Sequence, residues 1–104
     1  MRPIGTHNYF VYIITNKDRR VLYTGVTNNL RNRLLEHQAD SEGEKKHFAG
    51  KYNCFHLIYF ERFEWIQHAI EREKELKGWT RIKKINLINS FNSDWKFLND
   101  EVED

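Results

Sequence analysis

Two short runs near the N-terminus, YFVYII at residues 9–14 and VLYTG at 21–25, restrict the fold more than anything else in this chain. The first is β-branched and aromatic, with apolar side chains at odd and even positions alike. A strand carries that pattern when both of its faces are covered. Residues 15–20 between the runs (TNKDRR) are polar and turn-forming, as a hairpin loop requires. Thr27 or Asn28 is placed to cap a helix that starts near Leu30, with Leu30 and Leu34 on its buried stripe. Residues 39–53 are polar, hold Gly43, Gly50 and a Lys45-Lys46 pair, and read as a long surface loop of the kind that often carries function. A second two-faced apolar run, CFHLIYF at residues 54–60, reads as a third strand. A helical pattern then covers residues 64–77 and stops at Gly78. Ile82, Ile85 and Ile88 recur at helical spacing in a last helix that ends near Phe91.

The order β-β-α-β-α-α predicts an α/β (α+β) fold, a small three-stranded and mostly antiparallel sheet flanked by helices on both faces. A chain of 104 residues has room for one domain. We place it at residues 1–98, followed by an acidic, disordered tail at 99–104. Aromatic residues make up 14% of the chain, which separates it from disordered sequences. No apolar run approaches the roughly 20 residues needed to cross a bilayer, and the MRPIG start has no apolar signal core. A lone Cys54 in an apolar stretch reads as a reduced core thiol, so a cytoplasmic location is expected and a structural zinc site is not. The net charge is +2, but Asp100, Glu101, Glu103 and Asp104 supply four negative charges at the very end, leaving +6 on the rest. That balance suits a phosphate-backbone partner without demanding one.

Two groups of residues do not fit a plain core. Glu73 falls in the middle of the apolar face formed by Ile66, Ala69, Ile70 and Leu76 at about 100° per residue. A carboxylate there needs a cation, a donor network or a metal. Lys77, at i+4, offers the plain intrahelical ion pair. Arg33 and His37, also four apart, emerge beside the Leu30/Leu34 stripe. Together they suit an anionic oxygen such as a phosphate; the simpler account is an arginine snorkelling past Leu34 and a histidine bonded to a backbone carbonyl. Tyr12 and Tyr23 suit strand packing as such, and Gly25 ends its strand where a backbone or ligand can approach closely. Lys45, Lys46, Lys51 and Tyr52 line the long loop and can grip a nucleic-acid backbone, with Tyr52 stacking on a base. Trp65, Trp79 and Trp95 are expected to pack around the later helices.

Taken together, the hairpin, the glycine, the Arg33/His37 helix and Glu73 resemble the GIY-YIG nuclease superfamily, in particular its small stand-alone members, which are similar to the N-terminal domain of the DNA-repair excinuclease. The likeness runs from about Asn8 to Trp95. Val11-Tyr12-Ile13 stands for the GIY element, without its glycine, and Tyr23-Thr24-Gly25 for the YIG element, with Arg33 ten residues after Tyr23. The resemblance implies that Tyr12 and Tyr23 face the attacking water and scissile phosphate, that Arg33 contacts that phosphate, and that Glu73 binds a metal, Mg²⁺ or Mn²⁺. It matches His37 to a histidine of some members, Asn92 to a late substrate-binding asparagine, and the FAGKY stretch at 48–52, including Lys51 and Tyr52, to the small relatives. Val26 stands where excinuclease-type domains carry a lysine, and Ser93 interrupts an Asn-Pro turn. The implied activity is metal-dependent DNA endonuclease action in repair or processing, structure-directed or of low specificity, on branched or damaged DNA. RNA stays open as a substrate, as does a protein partner for substrate choice. The alternative is a non-catalytic or partner-dependent nucleic-acid-binding module with the same fold.

Overall fold

In the computed structural model, residues 8–43 and 52–102 are described. Strands β1 (Tyr9–Thr15) and β2 (Leu22–Thr27) form the hairpin. Helix α1 (Leu30–Glu42), strand β3 (His56–Phe63), helices α2 (Ile66–Lys77) and α3 (Arg81–Phe91) and a short 3₁₀ turn at Asn99–Glu101 follow. The sheet order is β2-β1-β3 with both pairings antiparallel. None of the described helices is long and apolar enough to cross a membrane.

The two-faced pattern of β1 has a direct structural cause. Phe10, Tyr12 and Ile14 enter one core with Leu30 and Leu34 of α1, while Val11 and Ile13 enter a second core with Ala69, Leu76 and Ile88 of α2 and α3. As the middle strand, β1 is covered on both sides and paired on both edges. The hairpin loop is held by Asn16, whose side-chain oxygen accepts from the backbone N–H groups of Arg20 (2.9 Å) and Val21 (3.1 Å).

Several boundaries differ from the sequence expectation. The cap of α1 is Asn29, whose side chain accepts from the Asn32 N–H, instead of Thr27 or Asn28. Thr27 binds the Asn29 N–H through its hydroxyl and so acts one step earlier. Strand β2 continues through Gly25 to Thr27, and α1 continues to Glu42, absorbing the start of the expected loop. Lys45, Lys46 and Lys51 lie outside the described residues. Trp65 is 60% exposed and does not pack as expected, whereas Trp79 and Trp95 lie against the second core.

Strand β3 carries an irregularity that no periodicity announces. Ile13 pairs with Tyr59 but Ile14 pairs with Leu57, so Ile58 is an extra residue, a β-bulge. The bulge turns Ile58 and Tyr59 to the same core. The carbonyl of Ile58 accepts from the Asn92 side-chain amide (3.1 Å), which also donates to the Lys96 carbonyl (2.9 Å) while its oxygen accepts from the Lys96 N–H (3.1 Å). Asn92, matched by resemblance to a substrate-binding asparagine, makes three hydrogen bonds that hold the bulge and the turn after α3.

Of the tail expected to be disordered at 99–104, residues 99–102 pack against the fold, and 103–104 lie outside the described residues. Leu98 donates its N–H to the Leu57 carbonyl (2.7 Å), and the Asn99 side chain accepts from the Leu57 N–H and donates to the Phe55 carbonyl, both at 2.8 Å. Leu98 and Val102 are buried in the first core. The segment thereby covers the outer edge of β3, which would otherwise present unpaired backbone groups.

Asn92→Ala removes three bonds from a buried position and strands the Ile58 and Lys96 backbone groups. It should lower stability by about 2–3 kcal/mol, and thermal melting should show a fall of roughly 10 °C or more.

Candidate active site

The buried stripe of α1 runs through Leu30, Leu34, His37 and Ser41, so a histidine sits where a leucine would serve for packing alone. Its Nε2 lies 2.8 Å from the hydroxyl of Tyr12. Tyr12 is 1% exposed, His37 4%. Both tyrosine rings meet the imidazole edge to face, with centroids at 5.7 Å (Tyr12) and 5.4 Å (Tyr23). The plain alternative of a histidine bonded to a backbone carbonyl is therefore not what the fold uses at Nε2.

Gly25 completes this arrangement from the opposite strand. It is the direct cross-strand partner of Tyr12, and a Cβ there would lie 2.5 Å from the ring carbon that carries the Tyr12 hydroxyl. The missing side chain makes room for the tyrosine ring within the fold. Gly25→Ala should push Tyr12 off His37 and destabilise the domain by about 1–3 kcal/mol; chemical denaturation of the variant measures this directly.

Burial pushes the Tyr12 phenol up to about 12, with Tyr23 and the Glu73 carboxylate acting the same way and the Arg33 guanidinium, within hydrogen-bonding reach, opposing them. Burial, reinforced by the positive charge of Arg33, pushes His37 down to about 4. His37 is therefore neutral at pH 7. Arginine can only donate, so Arg33 adds a donor and a positive charge at the Tyr12 oxygen beside its bond with Nε2. Arg33 also binds Glu36 at 3.0 Å. Burial works against its charge, but the bonds to Glu36 and Tyr12 outweigh this and raise its pKa.

Glu73 reaches the same place from α2. It continues the buried series Ala69 and Leu76, and its side chain is 17% exposed. Lys77 pairs with it, Nζ to Oε2 at 3.2 Å, which is the intrahelical ion pair that the spacing allowed. The rotation of α2 is fixed by Arg72 one residue earlier. Arg72 donates to Glu61 of β3 (2.9 Å) and to Glu75 (2.7 Å), and Glu61 also accepts from the Tyr59 hydroxyl. Sequence reasoning missed this clamp, although Arg72 and Glu75 share the i,i+3 spacing of a helical ion pair.

No cluster of three or more metal-binding side chains occurs among the described residues. A single carboxylate still fits Mg²⁺ or Mn²⁺, because such ions keep several waters and take further oxygens from a phosphate substrate. Tyr12, Tyr23, Gly25, Arg33 and His37 share one place, with Glu73 near enough for its charge to act on Tyr12. Asn92 is spent elsewhere, Tyr52 is 42% exposed on the segment before β3, and Val26 packs into the second core as an apolar contact.

Comparison with known proteins identifies the family. Residues 8–86 match the family model of the GIY-YIG catalytic domain. The chain is 35% identical over 81 residues to a UPF0213 protein of Natronomonas pharaonis, covering 78% of this chain and 91% of that one. It is equally similar to a UPF0213 protein of Staphylococcus aureus, with 94% of the relative covered. The solution NMR structure of a UPF0213 protein from Bacillus halodurans superposes with a TM-score of 0.53 at 30% identity, over 85% of this chain and 89% of that one. The chain belongs to the GIY-YIG domain family, among its small stand-alone UPF0213 members.

Proposed function

We propose that the chain is a divalent-metal-dependent endonuclease that hydrolyses DNA phosphodiester bonds, with structure-directed or low sequence specificity. One observation carries this reading: a buried phenol, Tyr12, joins a neutral imidazole, a guanidinium and the field of a carboxylate from another helix. Packing needs none of that chemistry, whereas each of these groups can serve attack on a phosphodiester.

Tyr23 is half-buried whereas Tyr12 is fully buried, so Tyr23 is the tyrosine that meets the attacking water. With its pKa near 12, Tyr12 is ionised in only about one molecule in a hundred thousand at pH 7. It cannot serve as a standing base. It can pass a proton on: as Tyr23 takes a proton from the attacking water and gives its own to the Tyr12 oxygen, the Tyr12 proton moves to Nε2 of His37, already 2.8 Å away and neutral. Arg33 donates to the Tyr12 oxygen and to a non-bridging phosphate oxygen, offsetting charge at both. A cation held by Glu73 would supply polarisation of the phosphate and stabilise the departing 3′ oxygen. Repair or processing of branched or damaged DNA is the corresponding role, since the domain has few elements to spare for reading a long site.

The test is nicking of supercoiled plasmid and of a labelled branched duplex with Mg²⁺ or with EDTA. Wild-type cleavage should vanish with EDTA and in Glu73→Ala, with DNA binding retained. Cleavage by Glu73→Ala at the wild-type rate would refute the scheme. Binding by both proteins with no cut from either would favour the non-catalytic or partner-dependent module.

The neutral state of His37 has its own signature. Its folded pKa near 4 lies below the ordinary 6.5, so the unfolded chain takes up a proton first as pH falls. The stability it contributes is complete above pH 6.5 and is lost toward pH 4. Between pH 7 and 5 the loss should be about 2 kcal/mol, read as a falling urea midpoint, and His37→Gln should flatten that dependence.

A further inference from the structure

Arg33 of the site and Lys77 beside Glu73 are each paired with a carboxylate of the same chain. Arg33 is held by Glu36 at 3.0 Å and Lys77 by Glu73 at 3.2 Å. The two pairs differ in which partner is accessible. Glu36 is 53% exposed and tolerates solvent alone, whereas Glu73 is 17% exposed and Lys77 51%. In the second pair the carboxylate is withdrawn and the ammonium sits on a flexible stem at its open side. A withdrawn carboxylate without a cation is costly, so Glu73 is most readily kept ionised by a counter-charge that can be exchanged for another.

Resting on the metal-dependent reading above, we infer that Lys77 is a positioning residue that occupies the cation place on Glu73 in the free protein. A divalent ion takes that place and releases the ammonium to a backbone phosphate beside the scissile bond. A metal ion on the Glu73 oxygens and an ammonium on Oε2 repel each other. The exposed stem of Lys77, in the last turn of α2, gives it the freedom to leave. The exchange couples the two ligands: metal makes a phosphate contact available, and DNA, by holding Lys77, makes Glu73 available to metal. Such coupling is reciprocal by thermodynamic necessity.

The experiment compares wild type, Lys77→Met and Glu73→Ala. Mn²⁺ affinity is read by electron paramagnetic resonance. Binding to a short labelled phosphorothioate duplex is followed against salt concentration, in EDTA and in Mn²⁺. Lys77→Met should bind Mn²⁺ about two- to fivefold more tightly than wild type, the range expected from loss of a weak competing ion pair. In EDTA the salt dependence of DNA binding should be the same for both proteins. In Mn²⁺ the wild type should be steeper by about 0.9 in log–log slope, one phosphate contact. Unchanged Mn²⁺ affinity in Lys77→Met, or equal slopes in Mn²⁺, overturns the exchange while leaving Glu73 as metal ligand, provided Glu73→Ala has lost the ion. If Glu73→Ala binds Mn²⁺ as wild type does, or none of the three binds it, the metal assignment falls and the exchange with it.

Discussion

The burial of β1 on both faces governs the rest of the domain. Every side chain from Phe10 to Thr15 is buried, which places the phenol of Tyr12 inside an apolar layer where its hydroxyl must find a partner. The fold meets that demand from two directions. The stripe of α1 substitutes His37 for a packing residue, and β2 places Gly25 opposite the ring. The candidate site is built around that pair: the phenol bonds the imidazole, both tyrosine rings meet it edge to face, and Arg33 lies one turn before His37 on the same helix.

The second layer of the molecule brings in Glu73. Its position depends on the roll of α2 against the sheet, and that roll is set by Arg72 bridging Glu61 and Glu75 and by the Tyr59 hydroxyl on Glu61. Tyr59 in turn faces this side because Ile58 bulges out of the ladder, and the bulge is held by Asn92. Asn92 therefore acts on the site at a distance, through backbone geometry.

The strands, the helices α2 and α3 and the antiparallel order were legible in periodicity, because burying two faces of β1 leaves few other arrangements for so short a chain. The anomalies were legible as well. Glu73 in an apolar stripe and the Arg33/His37 pair broke local rules, and such breaks mark function or a specific partner. The bulge at Ile58 and the edge-covering role of Leu98 and Asn99 were not. An extra residue in a strand apolar on both faces leaves the pattern unchanged, and an acidic tail looks solvated until Val102, with Leu98 just before it, finds a core.

By itself, then, the sequence determined the elements, their order and the chemistry available, since these depend on residue type and spacing along one chain. Only the tertiary structure decided how that chemistry is connected. It buried Tyr12 against His37 and left Tyr23 half-buried, kept His37 neutral through burial, gave Gly25 to the tyrosine ring and Asn92 to the bulge, and set Lys77 on Glu73. Each of these rests on distances between residues far apart in sequence or on the withdrawal of a charge from water, and neither quantity exists until the layers have packed.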